Sequence, residues 1–318
     1  MPTFRFALSL TTTLLIAACG TSAEQRTTPA QDTIVVYSAA SLAVPLRETL
    51  DVFAHASRAV IQQENGASLE LARRVTELDR VPDLIVLADQ EVFPQLLVPR
   101  VTSWYARFAR NRMVIAYTDR SRHASELTAD SWRRILLRSD VLLGRTDPVL
   151  APAGYRTLLT YRLAETFYHD PSLAARLEAR TPPRLMRRNA SELAALLSAG
   201  ELDYIVDYES LARANQFRYI ALPPEIDLGD PAHAADYARA SVRVANGRDT
   251  VLRTGAPILY GASVPRSAPH RDAGIRALTF LLAPDGRELL RARDVDALDV
   301  PELIGDSVPA PLARKPAT

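Results

Sequence analysis

Several junctions in this chain share one plan: a strand, a turn of small residues, then a helix start. The plainest is the first. Ile34-Val35-Val36-Tyr37 is β-favouring, Ser38-Ala39-Ala40-Ser41 is a small uncharged turn, and Leu42, Leu46, Leu50 and Phe53 recur at helical spacing. Ser41 stands where a helix N-cap belongs, and Pro45 falls early enough in the helix to cost no hydrogen bond. Residues 59–64 and Asn65-Gly66-Ala67-Ser68 repeat the device ahead of Leu69, Leu71, Ala72, Val75 and Leu78. A short strand at 141–144 leads to Thr146-Asp147-Pro148-Val149-Leu150-Ala151-Pro152-Ala153-Gly154-Tyr155-Arg156, and a helix follows. Arg187-Arg188-Asn189-Ala190 opens the last, with Asn189 able to cap a helix that ends at Gly200. Each junction offers N–H groups without intrahelical acceptors and the positive end of a helix dipole; two add a serine hydroxyl. These are neutral donors suited to an anion, and the reading is that several of them share one oxyanion.

Other chemistries lack their residues. Lys315 is the only lysine, so lysine-based catalysis and a phosphate-loop lysine are absent from the folded region. His55, His123, His169, His233 and His270 are scattered without ligand spacing, and no metal site built from protein side chains or bound cofactor is expected. Gly66-Ala67-Ser68-Leu69-Glu70 lacks the second glycine of a nucleophile elbow. With no set of nucleophile, base and orienting group, the chain does not read as an enzyme. A net charge of +1 argues against nucleic acid as a partner. Cys19 is the only cysteine, which excludes disulfides within the chain.

Arg5 precedes an apolar run at 6–18 that is short for a bilayer span and fits a signal segment. It ends Ile16-Ala17-Ala18-Cys19-Gly20, which resembles the lipobox of bacterial lipoproteins. Residues 1–18 are then a signal peptide, Cys19 the lipidated residue and 19–32 a flexible tether. That predicts an exported protein, lipid-anchored at a bacterial membrane and facing the periplasm or the exterior.

The 318 residues suffice for two domains. Residues 83–88 form a continuous apolar run, as in a buried parallel strand, and 111–117 form another. A helix is expected at 132–137 and a strand at 203–208. A strand at 257–265 leads to a helix at 272–282; Pro284-Asp285-Gly286 breaks it before one more. Alternating strands and helices predict an α/β fold with parallel sheets. The Pro/Ala-rich end, 304–318, reads as a disordered tail.

Certain motifs resemble those of the molybdate/tungstate substrate-binding proteins of ABC transporters, in particular the tungstate-type branch. They are Ala40-Ser41-Leu42 with Pro45; Gly66-Ala67-Ser68; Asp147-Pro148 followed by Pro152-Ala153-Gly154-Tyr155-Arg156; Gly200-Glu201-Leu202-Asp203-Tyr204 leading to Tyr208; and Pro257-Ile258-Leu259-Tyr260-Gly261. The resemblance implies a class II periplasmic binding protein: two α/β lobes joined by two crossing segments, with the ligand in the cleft between them. Lobe one would be 33–117 plus 257–303, lobe two 118–256, and the crossings 113–117 and 258–263. It implies donors to the oxyanion from Ser41 and Ser68, from the backbone N–H groups of Ala153 and Ala190, and from the Tyr208 hydroxyl. It also implies a monomer that hands its ligand to an ABC permease driven by a separate ATPase.

This chain departs from that branch at two places. Ala151 and Asp207 stand where it carries a carboxylate and a glutamate that approach the metal. The expectation is therefore tetrahedral binding through hydrogen bonds alone, with Asp207 beside the dianion repulsive unless it turns away, is protonated or accepts a hydrogen bond. The alternative is a binder of the same fold for sulfate, phosphate, a ferric complex or a small organic acid. Arg156 is expected to be an ion-pair partner within its lobe, and Trp104 and Trp132 to be packing residues.

Overall fold

The computed structural model describes residues 33–313. The signal peptide at 1–18, Cys19 and the tether at 19–32 lie outside the described residues, as does 314–318.

The chain opens with β1 (Thr33–Ala39), α1 (Ala43–Ser57), β2 (Val60–Gly66), α2 (Ser68–Leu78), β3 (Leu84–Leu87) and β4 (Trp104–Asn111). It continues through β5 (Met113–Tyr117), α3 (Trp132–Leu136), β6 (Leu143–Thr146), α4 (Pro152–Phe167), α5 (Leu173–Ala179), β7 (Met186–Arg187), α6 (Ala190–Ala199), β8 (Tyr204–Tyr208), α7 (Glu209–Ala214) and β9 (Arg218–Ala221). After α8 (Ala234–Tyr237) and a hairpin of β10 (Ser241–Asn246) and β11 (Asp249–Thr254), β12 (Ile258–Ser263), α9 (Arg271–Leu282), α10 (Pro284–Arg291), β13 (Asp296–Gly305) and α11 (Ala310–Ala313) complete it.

Among the described residues, two large sheets result, ordered β13-β4-β12-β3-β1-β2 and β7-β6-β8-β5-β9, beside the two-stranded β10–β11 sheet. β3, β5 and β8 are buried along their whole length, which explains the unbroken apolar runs of β3 and β5; the run of β8 is interrupted by the buried Asp207. Trp104 and Trp132 are buried in the core.

The sheets are mixed, not purely parallel. β1 runs parallel to β2 and β3, but β12 is antiparallel to β3 and β4, and β5 to β8 and β9. The reason lies in the crossings. β4 leaves the first sheet with Asn111 opposite Ile258 of the returning β12, so the two must run in opposite directions.

The crossings also fall elsewhere than expected. Met113–Tyr117 pairs with β8 and β9 and so lies in the second sheet, while Ile258–Ser263 pairs with β3 and β4 in the first. The chain changes sheets at Arg112 and again just before Ile258. The stretch from 304 is not a featureless tail: β13 runs to Gly305 against β4, and 310–313 is helical. Ile304 and Gly305 at its start pair with Tyr105 and Trp104.

Candidate functional site

One small cavity gathers the four junctions and the end of β8. Its lining includes Ser41 and Ser68 from the first-sheet half and Ala153, Ala190, Asp207 and Tyr208 from the second-sheet half. All six residues singled out in the sequence thus meet. Ala151 lines the same space.

The two serines differ from their expected roles. Ser41 does not cap α1: it lies in a 3-10 turn at Ala40–Leu42, and Leu42 precedes the helix without a side-chain cap. Its buried Oγ has no hydrogen-bond partner of normal geometry, although it influences the Tyr260 hydroxyl. Ser68 does not cap either. It is the first residue of α2, and its Oγ accepts the Ala88 N–H at 3.1 Å, which leaves its own proton to donate.

On the other side, Ala153 is the second residue of α4 and Ala190 the first of α6. Both N–H groups therefore lack intrahelical acceptors. Gly154 allows α4 to start against its own approach loop: a Cβ there would lie 2.6 Å from Asp147 C, Pro148 N and Thr146 O. Asp147 Oδ1 accepts the Val149 N–H at 2.8 Å and shapes that loop. Asn189 caps α6 as expected, accepting the Glu192 N–H at 3.0 Å, and the helix ends at Gly200 with φ of 79°.

The Tyr208 hydroxyl donates to Ala88 O at 3.3 Å, across the two halves. Its proton is thus already engaged, and donation to a ligand requires it to switch acceptors. Burial pushes this phenol well above its ordinary value. Asp207 is buried, with Oδ1 accepting the Tyr208 N–H at 2.7 Å and Oδ2 without a partner. Burial raises its carboxyl to about 7, against the opposing pull of the Tyr208 N–H.

Thr146 was missed in the sequence. It ends β6, lines the cavity and has a buried Oγ1 without a partner. The available signal was its place as a hydroxyl residue just before Asp147-Pro148, at a strand end like the other junctions.

Among the described residues, neither lysine nor arginine lines the cavity. Arg156 instead pairs with Asp89, its Nη2 at 2.8 Å and Nε at 3.1 Å from Oδ2, with both side chains at most 1% exposed. The Tyr155 hydroxyl donates to the same oxygen. The expected pair within one lobe is not found: this pair joins α4 to Asp89, the second residue past β3. Leu69 N–H donates to Leu150 O at 3.2 Å and Ser191 Oγ to Ala40 O at 3.4 Å, so the halves touch around the cavity. Among the described residues, no cluster of three His, Cys, Asp or Glu could hold a metal ion, and no helix is long and apolar enough to cross a membrane.

Two α/β halves, joined by two crossings with a cavity between them, define the class II periplasmic binding protein fold. The chain belongs to the bacterial extracellular solute-binding protein family, whose model matches residues 34–293. It is 38% identical over 273 residues to an uncharacterized solute-binding protein of Petrotoga mobilis, covering 85% of each chain. It is 32% identical over 325 residues to the molybdate/tungstate-binding protein WtpA of Pyrococcus abyssi, covering 94% of each. In fold it resembles the periplasmic molybdate-binding protein of Azotobacter vinelandii, with a TM-score of 0.59 and 12% identity over 82% of this chain and 98% of that one. The sulfate-binding protein SubI of Mycobacterium tuberculosis H37Rv also has a TM-score of 0.59, with 13% identity over 89% of this chain and 90% of that one.

Proposed function

We propose that this solute-binding protein captures molybdate or tungstate as a tetrahedral dianion and delivers it to an ABC permease powered by a separate ATPase. The observation that carries this reading is the convergence of Ser41, Ser68, Ala153, Ala190 and Tyr208 on one cavity with no lysine or arginine among the described residues of its lining. Neutral donors and helix starts suit a dianion that must be held firmly and then released, because charge-assisted hydrogen bonds are strong while no fixed cation traps the ligand. Ala151 in the lining supports four-coordinate binding, since it supplies no oxygen to a metal centre. The family assignment and the binding activity named for the Pyrococcus abyssi relative support the same ligands. In this reading the protein works as a monomer outside the cytoplasm, tethered by lipid on Cys19, and the two halves close on the oxyanion by hinge motion.

Thermal unfolding with molybdate, tungstate, sulfate, phosphate and citrate in turn tests the ligand. Ligand at about 100 times Kd adds about 2.7 kcal/mol of stability. Molybdate or tungstate should raise the melting temperature, and sulfate, phosphate and citrate should not. A rise with sulfate alone overturns the assignment in favour of another oxyanion.

A further inference from the structure

Among the described residues, Asp207 is the only carboxylate residue in the cavity lining, and its free oxygen has no partner. The side chain is 1% exposed, and Oδ1 is occupied by the Tyr208 N–H. Oδ2 is therefore the atom available to a bound ligand.

The surroundings offer no positive charge to offset a second anion. From the turn at Ala40–Leu42, α2, α4 and α6, the cavity receives hydroxyl, methyl and proline groups and the neutral Asn189. The titratable neighbour on β12 is Tyr260, whose hydroxyl interacts with Asn111 and Ser210 and feels the charge of Asp207. Beside it on the chain, Tyr208 reaches Ala88 O, and Glu209 is taken by Arg112, Arg213 and Tyr219. Behind Tyr208, Arg156 is neutralised by Asp89. On β5 the residue opposite Asp207 is apolar Val114. A carboxylate here would face a dianion in a site shielded from water. Two acids forced together in such surroundings retain a proton between them.

We infer that Asp207 meets the oxyanion as a neutral carboxylic acid, its Oδ2–H donating to a ligand oxygen, so that each dianion captured is accompanied by one proton held at Asp207. The inference rests on the oxyanion reading above and adds proton linkage to it. The proton comes from solvent when the free protein is ionised and returns to solvent on release; no other bond forms or breaks. The carboxyl of the unliganded protein already sits at about 7 through burial. Below that value the acid is in place, and affinity is level. Above it a proton must be taken up for binding, and affinity falls about tenfold per pH unit.

The test is calorimetric titration of the full chain with tungstate from about pH 6 to about pH 9, in two buffers of different ionisation enthalpy at each pH. The wild type should take up about one proton per tungstate at the alkaline end and lose affinity about tenfold per unit there. Asp207→Asn keeps a neutral donor but cannot titrate, so its affinity should vary less than about twofold across the range. Level wild-type affinity without proton uptake overturns the inference, as does an Asp207→Asn variant that keeps the wild-type slope. If tungstate and molybdate give neither heat nor a melting shift with the wild type at any pH, the oxyanion reading itself fails. The proton count needs no variant, so misfolding of Asp207→Asn leaves the test standing.

Discussion

Ser41 lies in the 3-10 turn just ahead of α1 and Ser68 is the first residue of α2, and their chemistry differs. Ser41 Oγ is buried without a normal partner, so unliganded folding gains little from it. Ser41→Ala should leave unliganded stability nearly unchanged. In our reading it removes one charge-assisted donor, about 1.5–3 kcal/mol, which weakens the oxyanion roughly 10- to 150-fold. Ser68 Oγ also accepts the Ala88 N–H. Ser68→Ala should weaken the ligand and also cost about 1–3 kcal/mol of unliganded stability, because a buried N–H loses its acceptor. Calorimetric titration beside urea unfolding separates the two effects. Equal loss of stability in both variants would contradict the free state of the Ser41 hydroxyl.

At the scale of elements, each junction points a helix start at the cavity, and local sequence sets how closely it arrives. α4 shows this best. Its first turn lies against the loop at 146–148 because Gly154 has no Cβ; the atoms a Cβ would meet are all backbone and cannot swing aside. Gly154→Ala should therefore displace the start of α4, costing about 1–3 kcal/mol. It should also weaken the oxyanion, since the Ala153 N–H moves with the helix. Unfolding and ligand titration of the variant check both outcomes. Unchanged affinity would mean that the Ala153 N–H makes no ligand contact.

Across the molecule, the Arg156–Asp89 pair holds the two halves together behind the cavity. Both groups are out of water, so loss of one partner strands the other charge. Arg156→Met should cost about 3–5 kcal/mol, and adding Asp89→Asn should recover most of that loss, because a buried pair contributes little beyond its own neutralisation. Urea unfolding of the single and double variants measures the coupling. Additive losses would show that the two residues act independently.

The motifs around Ser41, Ser68, Ala153 and Ala190 were legible in the sequence because each is local: a β-favouring run, small residues and a helical repeat fall within a short stretch. So was β3, whose complete burial leaves an unbroken apolar pattern, and so was β8, which is apolar but for Asp207. β4, β13 and the β10–β11 hairpin were not, since they mix charged and apolar residues and form by pairing with distant strands. The place of the crossings likewise depends on which sheet Met113–Tyr117 joins, a choice made by β8 and β9 far along the chain. That Ser41 Oγ, Thr146 Oγ1 and Asp207 Oδ2 are buried without normal partners is equally a tertiary fact. Residue type alone states what a group can donate or accept; only the packing of two halves removes water and decides which groups are left waiting for a ligand.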